Sequence, residues 1–112
     1  MTERYTDLVH RLRVSVLEGA GVTDPAVRQA VASRASALGG GVAGPETALP
    51  PAIATLVDKI ARRAHTVTDA DVQEVRQAGY SEDAVFEITA AAALGAALGR
   101  LERGMAALKG RA

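Results

Sequence analysis

Cysteine is absent from the 112-residue chain. That excludes disulfides, thiolate metal sites and every reaction that needs a sulfur nucleophile. Tryptophan is also absent, and Tyr5, Tyr80 and Phe86 are the only aromatic residues. The core must therefore be built from Val, Leu, Ile and Ala, which leaves little material for a large aromatic pocket. Charge of one sign is missing too: 13 basic residues balance 13 acidic ones. No long-range field draws the chain to nucleic acid or to an anionic membrane. Near-zero net charge also gives little protection against self-association.

The opening MTERYTDLVHRLR has no apolar run, so no secretory signal is expected there. The uncharged run Ile88 to Gly99 is shorter than the roughly 20 residues a bilayer needs. A cytoplasmic location follows as the expectation, with no membrane and no nucleic acid as partner. Lys59 and Lys109 are the only lysines. Arginine preference with abundant Ala, Gly and Val suggests a GC-rich, bacterial coding sequence.

Length predicts one domain, 1–112. Its plan is a helical pair over 3–38, a loop over 39–51, and helices over 51–66, 69–78 and 81–108. In the first helix Tyr5, Leu8, Val9, Leu12 and Val16 recur on one helical face. Gly19 and Gly21 close it. Asp24-Pro25 is a cap followed by a proline that costs no hydrogen bond. Val27, Ala30, Val31, Ala35 and Leu38 make the apolar stripe of the second helix. Four glycines and three prolines over 39–51 exclude a regular element, leaving a slack connector or a lid. Ile53, Leu56, Val57, Ile60 and Ala64 form the third face. Thr68 with Asp71 is a capping-box variant, Gly79 ends the short fourth helix, and Ser81 caps the fifth. The fifth helix carries Ala91, Ala92, Gly95, Ala96 and Gly99. Two interior glycines cost roughly 1 kcal/mol each, so close packing should offset them. A tight crossing inside the domain and a subunit interface both fit.

Chemistry is sparse. His10 and His65 have no second His at helical spacing, so no metal site is expected. Ser15, Ser33, Ser36 and Ser81 lie in no nucleophile-elbow context. Gly39–Gly41 precedes no phosphate-loop lysine. Residues 72–88 have helix-turn-helix spacing, but the second helix would present Glu82, Asp83 and Glu87 to phosphates, so DNA binding is not expected. The remaining acid–base candidates are His10, Glu18, Glu87 and Arg100, which could converge if the first and last helices pack together. Read structurally, the same residues are a helix end, a solvated side chain and an arginine stem laid on the core.

The run AHTVTDADVQEVRQAGYSEDAVFEITAAAALGAALGRLERGMAAL, residues 64–108, resembles the C-terminal half of the carboxymuconolactone decarboxylase-like and alkylhydroperoxidase D-like proteins. Thr68, Asp69, Asp71, Ala78, Gly79, Glu87 and Arg100 sit on that pattern. LRVSVLEGAG, residues 12–21, is similar to the segment that leads into the family's active site. The resemblance implies an all-α bundle of about five helices with a long Ala/Gly-rich C-terminal helix, assembled into dimers, trimers or hexamers. It also implies a C-x-x-C pair near Ala20 and Thr23, with a His and a Glu relaying protons. Both positions lack sulfur, so thiol peroxidase and disulfide reductase activities are excluded. The expected function is a catalytically degenerate member: a homo-oligomer, or a subunit that binds a related protein, with no cofactor. The alternative is a cofactor-free acid–base enzyme acting on a small organic acid.

Overall fold

The computed structural model describes residues 3–42 and 48–110; the centre of the 39–51 loop lies outside them, and with it the choice between connector and lid. Among the described residues five α-helices form, α1 (Glu3–Arg13), α2 (Pro25–Leu38), α3 (Pro51–Arg63), α4 (Asp69–Gln77) and α5 (Glu82–Leu108). Among the described residues there is no strand, so the fold is all-α with a long C-terminal helix. Two short irregular turns extend the first and third helices, a π-helix over Val14–Glu18 and a 3₁₀ turn over Ala64–Thr66.

The capping signals operate as local chemistry. Asp24 accepts from the Ala26 N–H at 2.9 Å, and Pro25 begins α2. Thr68 and Asp71 close a reciprocal capping box at the start of α4. Ser81 accepts from the Ala84 N–H at 3.1 Å. Each bond satisfies a donor that a helix start would otherwise leave unpaired.

The core lies where α2, α3 and α5 meet, with Val31, Ile53, Leu56, Val57, Val75 and Ile88 fully buried. Helices α2 and α5 run parallel, since Thr23 faces Glu87, Ala32 faces Gly95 and Ser36 faces Gly99. A Cβ on Gly95 would sit 2.7 Å from Ala32 Cα, and one on Gly99 3.0 Å from Ser36 Cα. Both glycines are thus required by backbone contact. Ala91, Ala92, Gly95, Ala96 and Gly99 are all buried. Of the two roles open to these five residues, they fill the crossing inside the domain. They are not exposed as a subunit surface, because α2 occupies the space they leave.

Helix α1 departs from expectation. Its apolar face should be covered, yet Tyr5, Leu8 and Leu12 are exposed and only Val9 and Val16 are half-buried. The helix meets the bundle through the π turn and stands off the C-terminal half of α5 across an open groove. The molecule measures 45 × 28 × 24 Å. Helix α5 is long and apolar enough to cross a membrane by length and composition, and half of that apolar window is buried inside the fold.

Candidate functional site

A polar cluster sits where the π turn, the 19–24 turn and α5 meet. A π turn widens the helix and leaves carbonyls that an α-helix would engage. Arg28, 3% exposed, reaches from α2 to meet them. It donates from Nη1 to the Val16 carbonyl at 2.9 Å and from Nη2 to the Gly19 carbonyl at 2.7 Å. A longer bond from Nη2 reaches the Thr23 carbonyl at 3.4 Å. Its Nε is buried without a hydrogen-bond partner and lies 4.0 Å from Glu87 Oε1.

Glu87 faces the same turn from α5. Its Oε2 accepts from the Val22 N–H at 2.8 Å. Its Oε1 accepts from the Thr23 N–H at 2.9 Å and from the Thr23 hydroxyl at 2.6 Å. Two successive backbone N–H groups aimed at one carboxylate make an anion nest. A Cβ on Gly21 would lie 2.7 Å from either carboxylate oxygen, so a side chain there would push the Glu87 carboxylate off its donors. The Thr23 hydroxyl, then the two N–H groups and more weakly the Arg28 charge, hold the Glu87 carboxyl below its ordinary range. Burial opposes them and is outweighed.

The four acid–base candidates do not gather. His10 is exposed on α1, and Glu18 is exposed at the end of the π turn. Arg100 donates to the Ala61 carbonyl, tying α5 to α3. Only Glu87 takes part in the polar cluster. A groove of about 430 Å³ between α1 and α5 is lined by Val9, Arg13, Leu98, Leu101 and Met105 among others. A second, of about 290 Å³, reaches Leu17, Ser33 and Ser36, and a third, of about 310 Å³, lies beside Thr23 and Tyr80. None of the four candidates lines any of these three grooves. His65 is exposed as well, and among the described residues no three His, Asp or Glu side chains are placed to hold a metal ion.

Of the two positions where the resemblance would place cysteine, Ala20 is exposed and Thr23 is buried against Glu87. Sequence reasoning missed Arg28. A signal was present, since Arg28 shares the helical spacing of Val31, Ala32 and Ala35 on the buried side of α2. An arginine inside an apolar stripe needs carbonyl or carboxylate partners.

Two other ion pairs tie helices together. Arg34 grips Asp58 with Nε at 2.6 Å and Nη2 at 2.9 Å, joining α2 to α3. Lys59 Nζ lies 2.9 Å from both oxygens of Asp71, joining α3 to α4. Asp71 is held below the usual carboxylate range first by Lys59, then by the Thr68 backbone. No family model, curated protein or solved structure matches the chain, so its geometry carries the functional reading.

Proposed function

We propose that the protein is a non-catalytic helical subunit that works by assembling with itself or with a protein partner. On this reading it is a cytoplasmic, catalytically degenerate relative of the carboxymuconolactone decarboxylase-like and alkylhydroperoxidase D-like proteins. One observation carries the proposal: the Glu87 carboxylate is consumed by the fold. Three internal donors occupy it, and they favour its charged form. A general base needs a free lone pair and a pKa near the working pH. Glu87 keeps a single lone pair, on Oε2, and its pKa is held below the ordinary range, away from neutrality, while His10, Glu18 and Arg100 stand elsewhere. The cluster instead ties the π turn to α2 and α5.

The test is a thermal-shift screen of small carboxylic acids at fixed pH, followed by Glu18→Gln and Arg100→Lys. The expected result is that no acid raises the melting temperature. Glu18→Gln should also stay within about 0.5 kcal/mol of wild type, as exposed positions do, and Arg100→Lys, which keeps a donor near the Ala61 carbonyl, should cost no more than about 1 kcal/mol. An acid that stabilises the wild type, and loses its effect in Arg100→Lys, would replace this reading with the acid–base enzyme.

A further inference from the structure

Opposite the face of α5 that packs on α2 runs a second apolar face. Phe86, Ala90, Ala93, Ala97, Leu101, Gly104 and Leu108 recur every three or four residues and so share one side of the helix. Phe86 is 73% exposed and Leu108 78%. An exposed apolar strip marks an interaction surface; among the described residues, Phe86, Ala93, Ala97, Leu101, Gly104 and Leu108 of this strip are exposed and Ala90 is half-buried.

We infer that the outer face of α5 is the contact surface for a second copy of the same chain, with the two α5 helices antiparallel. This rests on the assembly reading above and names its surface and its partner. The order of side chains favours a two-fold axis between Ala93 and Ala97. Phe86 of one copy then falls opposite Gly104 of the other, where a Cβ would meet nothing within 4 Å. Leu101 falls beside Ala90, and Ala93 beside Ala97. Over the middle of the strip large side chains meet small ones in a self-complementary pattern, as a two-fold contact requires, while Leu108 falls at the edge beside Glu82 of the other copy.

Charge agrees with this direction. Glu82 and Asp83 in the first turn of α5 would lie alongside the last turn and Lys109 of the other copy. The two helix dipoles would oppose each other. Area agrees as well. A 27-residue helix is about 40 Å long and 10 Å wide, giving a strip on the order of 400 Å² per copy. Leu101 belongs both to this strip and to the groove beneath α1, so the contact continues towards exposed Leu8 and Leu12. Two copies of the strip make about 800 Å², and the continuation towards α1 raises this towards the roughly 1,000 Å² where specific interfaces begin.

The experiment is sedimentation equilibrium of the wild type, Ala97→Glu and Ala70→Glu, with circular dichroism as the check on folding. Expected are a dimer for the wild type and for Ala70→Glu at high micromolar concentration, and a folded monomer for Ala97→Glu. Because the chain has no cysteine, register is read by disulfide trapping in the double variant Phe86→Cys with Gly104→Cys. The expected product is a covalent dimer whose cross-link, read by peptide mapping, joins position 86 of one copy to position 104 of the other; a parallel pair would join 86 to 86 and 104 to 104 and would overturn the register. A wild-type monomer overturns the inference, as does a monomer that co-sediments with phosphatidylcholine vesicles. An oligomer that survives Ala97→Glu also overturns it, yet leaves the assembly reading standing. Should Ala97→Glu fail to fold, the trapped dimer decides. The acid screen tests the non-catalytic reading separately, through ligand-induced stabilisation.

Discussion

Both faces of α5 are built from alanine, glycine and a few larger apolar residues, yet they meet opposite surroundings. The inner face, Ile88, Ala91, Ala92, Gly95, Ala96 and Gly99, is buried. There each small residue removes a side chain so that the α2 backbone can approach. The outer face has a similar composition, and among the described residues it is mostly exposed, with Ala90 half-buried and Leu101 at the edge of the groove beneath α1. The difference teaches that composition cannot tell which side of an Ala-rich helix is the crossing. What tells them apart is the match to another element: α2 offers Ala32, Ala35 and Ser36 in step with Gly95, Ala96 and Gly99. On the proposal above, the outer face finds its match in a copy of itself.

The largest effect should come from filling the inner face. Gly95→Leu drives a side chain into the Ala32 backbone, and neither helix can yield without losing the core. Overpacking usually costs 1–3 kcal/mol; against backbone the loss should exceed about 3 kcal/mol, read by urea denaturation. A Gly95→Leu protein that stays as stable as wild type but loses its dimer would reverse the assignment of the two faces.

Next comes the cluster that anchors the π turn. Arg28→Met keeps most of the volume but strips the Val16 and Gly19 carbonyls of their donor and removes the counter-charge of Glu87. Breaking a buried ionic network by removing one partner costs about 3 kcal/mol. Hydrogen exchange should show the loss concentrated in residues 14–24, with the α2–α5 crossing still protected. Uniform loss of protection would mean that the two regions fold as one unit.

Much of this fold is legible in the sequence. Capping residues Asp24, Thr68 and Ser81 mark helix starts because each answers a local donor, and local chemistry is written in neighbouring residues. Tertiary choices are less visible. The glycine pair announces a close approach without naming the partner, so both roles stay open until α2 is seen beside it. The amphipathic pattern of α1 predicts a covered face, but periodicity reports only what a helix could bury. Glu87 was legible as an ionisable candidate. Its engagement by Val22 and Thr23, some 65 residues away, was not.

A smaller effect separates the Glu87 nest from the apolar crossing beside it. Thr23→Val keeps the shape and removes the hydroxyl bond to the carboxylate. A hydrogen bond to a charged group contributes about 2 kcal/mol. The sign with pH follows from the lowered folded-state pKa of Glu87. Its contribution is complete above the ordinary glutamate value of 4.5 and is lost as pH falls through the folded value below it. The stability gap between wild type and Glu87→Gln should therefore be constant near neutrality and shrink on acidification below about 4.5. A gap independent of pH would mean that Glu87 acts through packing alone.

The smallest effect on the folded monomer is expected at Phe86, and it sharpens the comparison most. The ring is 73% exposed and touches no core. In a monomer Phe86→Ala should change stability by no more than about 0.5 kcal/mol. In a dimer the same ring fills the space above Gly104 of the other copy, so its loss weakens assembly. A protein stabilised by association has a melting temperature that rises with concentration. Wild type should show that rise across the micromolar range, and Phe86→Ala should flatten it while converging with wild type at high dilution. Equal slopes for the two proteins would place the contact elsewhere. A fall in melting temperature at every concentration would mean that Phe86 supports the monomer itself, and the two faces of α5 would then differ less than the structure indicates.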